Sequence, residues 1–185
     1  MVLFDATSLL LLLSGNISPP VDPNTRQPVT HMKERLEHLI TQLEKLKEKI
    51  VIPTPALSEI LVRAGKAGPE YLERLSNSAP FRIADFDTRA AVEVATMTKE
   101  ALDGGDKKSG SDDTWAKIKY DRQIVAIAKV EGVTMIYSDD KHVRTLADKA
   151  RIPVTSCWEL PIPPEDLQVK LPLEASEKPE SSPRG

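Results

Sequence analysis

Val2-Leu3-Phe4-Asp5-Ala6-Thr7-Ser8 opens the chain and decides its reading. Three consecutive apolar residues read as a strand covered on both faces, because a strand buried that way loses its polar alternation. Asp5 ends the strand, and two hydroxyl residues followed by the run Leu9 to Leu13 suit a helix. In open α/β sheets the carboxyl edge of the strands is where ligands bind. A carboxylate at that edge has two readings. It caps the following helix, as Asp, Thr and Ser all do well, or it belongs to a site, if further acids reach the same edge from distant segments.

Outward from that stretch, Ser14 to Thr30 is a loop with four prolines and no periodicity, long for a compact domain. Residues 31–49 predict an amphipathic helix, with Met32, Leu36, Leu39, Ile40, Leu43 and Leu46 at helical spacing. The amphipathicity makes this helix the expected distinctive contact surface for a partner. Ile50, Val51 and Ile52 predict a second strand ended by Pro53. Thr54 and Pro55 then read as a capping hydroxyl and a first-turn proline, opening a helix that stops near Gly65 and carries Glu59 among apolar neighbours. A helix over 69–76 leads to the strand Phe81 to Ala84, and Asp87 caps a helix over 88–102.

Residues 103–114, rich in Gly, Ser, Asp and Lys, predict a flexible loop. Trp115 to Val130 reads as a helix buried against the sheet, with Asp121 ahead of the apolar run Ile124 to Ala128. Val133 to Tyr137 is a strand with Ser138, Asp139 and Asp140 at its end; a helix over 141–150 and a short strand over 152–155 complete the pattern. Strands alternating with helices imply an α/β fold: a central parallel sheet of four to five strands with helices on both faces, joined by right-handed crossovers. The folded domain is expected over 1–160, with 14–49 an enlarged loop and helix insertion. Pro, Glu, Ser and Lys dominate 161–185, which is expected to be a disordered tail.

Composition narrows the classes. With 185 residues, 40% hydrophobic and 29% charged, the chain is long enough for one soluble globular domain and an appendage. No apolar stretch is long enough to span a bilayer, so no membrane role is expected. A single cysteine, Cys157, forms no internal disulfide and points to the cytoplasm. The formal net charge of −3 does not advertise nucleic-acid binding, although an acidic site that recruits cations is compatible with it.

Asp5 and Asp140 follow strands, Glu59 lies early in a helix that follows one, and Asp121 begins a buried helix. In a parallel sheet these positions share one edge. Four carboxylates in one cleft repel unless a pKa rises or a cation arrives. The cation that suits such oxygens is Mg²⁺ or Mn²⁺, held by few carboxylates with room left for phosphate oxygens. That chemistry serves phosphodiester hydrolysis. Asp5, Asp121 and Asp140 are the expected ligands, direct or through water. Glu59 is a further ligand or the group that orients the attacking water. Ser138 and Thr7 are expected to hydrogen-bond a carboxylate or a phosphate.

The ordered segments VLFDATSL, VIPTPALSEIL, FDTRAAVEVA, YDRQIVAIAKVEGV and IYSDDKHVRTLADKARIPV together make the sequence resemble PIN-domain ribonucleases, the toxins of VapBC-type toxin–antitoxin pairs. The resemblance spans about Val2 to Leu160. It implies a three-layer α/β/α PIN-like domain that cuts single-stranded RNA as an endoribonuclease, with Mg²⁺ or Mn²⁺ held at Asp5, Glu59, Asp121 and Asp140. The family's strand-end motif, a hydroxyl residue, any residue, then Asp, matches Ser138, Asp139 and Asp140, which favours Asp140 over Asp139 as the ligand. The resemblance also implies a neutralising antitoxin and a homodimer. The long segment 14–49 and the tail depart from the compact toxins and leave substrate and partner open.

Blander readings stand beside these. Asp121 and Asp140 are each explicable as helix N-caps, and Glu59 as the i,i+4 partner of Arg63. His31, His38 and His142 lack ligand spacing and read as surface residues. Lys117, Lys119 and Arg122 either steer a phosphate backbone or decorate a solvated helix start, and Trp115 and Trp158 read as packing. A phosphoaspartate enzyme also places Asp after its first strand, but it wants a second Asp where Thr7 stands. An idle PIN domain that binds RNA or protein is the remaining alternative, and the presence of all four acids speaks against it.

Overall fold

In a computed structural model, residues 1–14 and 17–164 are described. The chain runs β1 (Val2–Phe4), α1 (Ala6–Leu13), α2 (Met32–Lys45), β2 (Ile50–Pro53), α3 (Thr54–Ala64), α4 (Gly68–Asn77), β3 (Phe81–Ala84), α5 (Thr88–Asp103), α6 (Trp115–Val130), β4 (Met135–Tyr137), α7 (Lys141–Lys149) and β5 (Val154–Thr155). The five strands form one sheet in the order β3-β2-β1-β4-β5, every neighbouring pair parallel. The expected α/β architecture with a parallel sheet is what the chain adopts. Of the tail expected over 161–185, residues from 165 onward lie outside the described residues.

β1 is central and fully buried, and its neighbours are β2 on one side and β4 on the other. The chain fills the β1-β2-β3 side first and then crosses to β4 through α5 and α6. The reversal falls between β1 and β4, which is where open parallel sheets leave a crevice at the strand ends. Phe4 pairs with Tyr137, and the ladder continues as the Asp5 N–H donates to the Tyr137 carbonyl at 3.1 Å. Asp5 and Ser138 thus leave the sheet at the same level.

Helix ends differ from expectation in instructive ways. Thr54 does not cap α3; Pro53 holds the cap position, and the Thr54 hydroxyl instead accepts the Phe86 N–H at 3.0 Å. Thr114 caps α6 through the Lys117 N–H, which leaves Asp121 well inside the helix and removes its reading as an N-cap. α2 is shorter than the predicted 31–49 because His31 and Lys47 take left-handed φ values of 55° and 56° at its two ends.

The apolar face of α2 is occupied within the domain. Met32, Leu36, Leu39 and Leu43 are buried in the same core as α1 and the sheet, so the face expected to meet a partner is already covered. Among the described residues no helix is long and apolar enough to cross a membrane. Because Leu36 is fully enclosed, Leu36→Ala should lower the unfolding free energy by about 2–5 kcal/mol, as a lost methyl cluster plus its cavity does. Urea denaturation reads this directly, and a loss under about 0.5 kcal/mol would mean that α2 is not integral to the domain.

Candidate active site

Asp5, Thr7, Glu59, Lys117, Asp121 and Asp140 line one cleft of about 550 Å³ at the carboxyl edge of the sheet. The four predicted acids arrive from four elements: the end of β1, the middle of α3, the middle of α6 and the start of α7. Asp139 does not join them. Its Oδ1 accepts the Cys157 N–H at 2.6 Å, and it lines a neighbouring cavity of about 450 Å³ that shares Lys117 and Asp140 with the first.

Capping and cleft geometry coexist in two of the acids. Asp5 caps α1 with Oδ1, accepting the Ser8 N–H at 3.1 Å, while its Oδ2 accepts the Ser138 hydroxyl. Asp140 caps α7 with Oδ1, accepting the N–H groups of His142 at 2.7 Å and Val143 at 3.1 Å, while its Oδ2 meets the Lys117 ammonium at 2.6 Å. A carboxylate has two oxygens, so one can end a helix while the other faces a ligand. Ser138, fully buried, accepts the Asp140 N–H at 3.1 Å and so ties the two acids to each other. The predicted hydrogen-bonding role of Ser138 toward a carboxylate is met here, whereas Thr7 only borders the cleft.

Lys117 is the positive charge of the cluster. Its Nζ lies 2.6 Å from Asp140 Oδ2, 3.3 Å from Asp121 Oδ2 and 3.0 Å from Asp113 Oδ2. Burial opposes the ammonium, but the hydrogen bonds to Asp140 and Asp113 and the charge of Asp121 outweigh it, and its pKa rises above the ordinary lysine value. Asp140 is also partly buried; the Lys117 hydrogen bond and the α7 N–H groups overcome that and hold it below the usual aspartate value. Glu59 lines the cleft from α3, exposed and paired with Arg63 at 2.7 Å, the i,i+4 contact foreseen for it.

Two residues expected at the surface are buried. His142 sits with Nδ1 2.7 Å from Asp121 Oδ2 and Nε2 3.2 Å from the Lys108 carbonyl. Arg122 is almost wholly enclosed, its guanidinium donating to the Lys107 carbonyl at 2.6 Å and to the Thr98 hydroxyl at 3.1 Å. Together they fasten residues 104–114, within the segment 103–114 predicted to be a flexible loop, to the helices that carry Asp121 and Asp140. The signal for Lys117 was in the sequence: Lys117 and Asp121 stand four apart, which stacks them on one face of α6, and Asp113 lies four residues before Lys117. No comparable signal marked His142.

Among the described residues no three His, Cys, Asp or Glu side chains stand ready to hold a metal ion. The donor set nevertheless fits one. All the acids offer hard oxygens, and the Lys117 ammonium shows that a cation is accommodated between Asp121 and Asp140. A divalent ion held there would have to take over the place of that ammonium.

No family model and no curated protein matches the sequence. Solved structures do match in shape. A chain of VapBC2 from Rickettsia felis bound to a promoter DNA fragment aligns over 84% of this chain and 98% of its own, at 11% identity and a TM-score of 0.56. A chain of DNA-bound VapBC from Salmonella typhimurium covers 85% and 99% at 15% identity and 0.53, and one from a Klebsiella pneumoniae toxin–antitoxin complex covers 86% and 100% at 19% and 0.50. The fold is the one adopted by these chains of toxin–antitoxin complexes. At these identities the likeness concerns the backbone alone; in this chain the cleft lies where the sheet reverses, between β1 and β4.

Burial raises the Asp5 pKa from 3.8 to about 6, against the hydrogen bonds from Ser138 and Ser8 that lower it. The folded protein therefore holds this proton more tightly than the unfolded chain does. The resulting contribution to stability is complete below about pH 4 and is lost as pH rises through 6. Asp5→Asn escapes that loss. In metal-free protein its stability relative to wild type should climb between pH 4 and 8 by about 3 kcal/mol, at ~1.4 kcal/mol per pKa unit. Urea melts across that range check it, and a difference independent of pH would contradict the assignment.

Proposed function

We propose that this chain is a metal-dependent endoribonuclease that hydrolyses phosphodiester bonds of single-stranded RNA in the cytoplasm, as the toxin of a pair whose antitoxin covers the cleft. The observation that carries the reading is the meeting of Asp5, Glu59, Asp121 and Asp140 in one cleft from four separated elements. The VapBC and toxin–antitoxin complexes that share the fold support the antitoxin partner, and the PIN-family resemblance supports RNA and a homodimer.

Asp5, Asp121 and Asp140 are assigned to hold Mg²⁺ or Mn²⁺, which when bound supplies Lewis acidity toward phosphate oxygens and water. Ser138 fixes the orientation of Asp5 and the start of α7. His142 holds Asp121 through Oδ2, the oxygen that also faces Lys117, and so fixes the orientation of the carboxylate. Glu59, exposed and lining the cleft, orients the attacking water and accepts its proton, with Arg63 holding the carboxylate in place. Thr7 borders the cleft where its hydroxyl can donate to a phosphate oxygen. Tyr120, half-exposed at the same cleft, offers a ring on which an unpaired base stacks, a contact that favours single strands.

One observation favours the second reading, an idle PIN domain that binds RNA or protein: the Lys117 ammonium already pairs with Asp121 and Asp140. A cleavage assay separates the two. Wild-type protein should cut a single-stranded RNA with Mn²⁺ or Mg²⁺ and stop on chelation. Asp5→Asn, Asp121→Asn and Asp140→Asn should each lose at least about 100-fold, the upper end of what removing even a supporting partner of a metal ligand costs. RNA retention without metal-dependent cleavage would establish the idle domain instead.

A further inference from the structure

Lys117 is the one cation in contact with both Asp121 and Asp140 among the described residues. An ammonium is univalent and rides on a flexible four-carbon stem. This side chain is 40% exposed, so it can leave the cluster without any movement of the α6 backbone. A partner also waits outside the proposed ligand set. Asp113, on the loop before α6, lies 3.0 Å from the same Nζ, and its Oδ2 also accepts the Ser111 hydroxyl at 3.0 Å. Lys117 is thus shared between two acids assigned to the metal and one that is not.

From this arrangement we propose that Lys117 is a built-in competitor of the divalent ion: it neutralises Asp121 and Asp140 while the metal is absent, and it must be displaced toward Asp113 before the ion is held. The proposal rests on the metal-site reading above and adds a residue that sets how much free metal the protein needs. Like charges in one cleft repel, so the same ammonium that makes the metal-free cluster tolerable also sets a threshold against its loading. Asp5 is not part of the exchange, because the ion pairs of Lys117 run to Asp113, Asp121 and Asp140 and its own hydrogen bonds come from Ser8 and Ser138, which leave its carboxylate lone pairs for an ion.

The test is Mn²⁺ binding by the full chain after chelator treatment, measured by calorimetry or by the electron paramagnetic resonance signal of free Mn²⁺. Lys117→Met keeps the stem and removes the charge; it should bind Mn²⁺ at least about tenfold tighter than wild type, a step of 1.4 kcal/mol. Lys117→Arg keeps the charge and should stay close to wild type. Adding Asp121→Asn to Lys117→Met should abolish the gain. A readout without substitution guards against a variant that fails to fold: acylation of the Lys117 amine in wild type, followed by peptide mass spectrometry, should increase when Mn²⁺ is added.

Wild type and Lys117→Met binding Mn²⁺ equally, or amine labelling that ignores Mn²⁺, would overturn the competitor and leave the metal site standing. Weaker binding by Lys117→Met would overturn it in favour of an organising role. No Mn²⁺ binding by either protein would overturn the metal-site reading, and the competitor with it.

Discussion

Carboxylates from four parts of the chain share one cleft here, and a positive charge sits among them. Lys117 supplies it, within 3.3 Å of both Asp121 and Asp140. Coulombic repulsion between acids at this spacing is expensive wherever water is partly excluded, and the interaction with a cation strengthens for the same reason. The fold around the cluster can be understood as the means of holding such charges together. The parallel sheet delivers strand ends to one edge. Helix starts at that edge present N–H groups that favour negative charge. Ser138 joins the acid after β1 to the acid that begins α7.

The acids are not equivalent, and their environments say why. Asp5, as enclosed as Asp121, is pushed upward by burial even with hydrogen bonds from Ser138 and Ser8. Asp140 is drawn downward by an ammonium and two backbone donors. Glu59, exposed and paired with Arg63, is the acid most open to water. A divergence of this kind within one cleft is what separates groups that hold an ion from groups that handle water or protons. The 104–114 loop closes one side, and its attachment to buried Arg122 and His142 explains why a segment of such polar composition stays at the site.

Much of this was legible in the sequence. β1 and β2 stand where unbroken apolar runs placed them, because strands buried on both faces admit no polar alternation, and β3 stands where it was expected although Arg82 interrupts its apolar run at the sheet edge. α6 spans the predicted Trp115–Val130, and Asp87 caps α5 as expected. Asp5 and Asp140 come together because topology brings strand ends and helix starts to one edge, whereas Glu59 and Asp121 line the same cleft from the middles of α3 and α6. What stayed hidden depends on side-chain direction. Nothing in the spacing of His142 shows that its ring turns inward to Asp121 rather than out to water. Arg122 was hidden for a similar reason: its burial depends on loop carbonyls that only the folded chain brings within reach. The covered face of α2 shows the same limit, because amphipathicity tells that a face is buried and not by what.

The central claim is that these acids hold a divalent ion at the carboxyl edge of the sheet. Anomalous diffraction from crystals of the full chain grown with Mn²⁺ tests it most directly. The account predicts an anomalous peak bounded by the carboxylates of Asp5, Asp121 and Asp140, with the Lys117 side chain turned away toward Asp113. A cleft free of anomalous signal at saturating Mn²⁺, with the Lys117 ammonium still between Asp121 and Asp140, would contradict it.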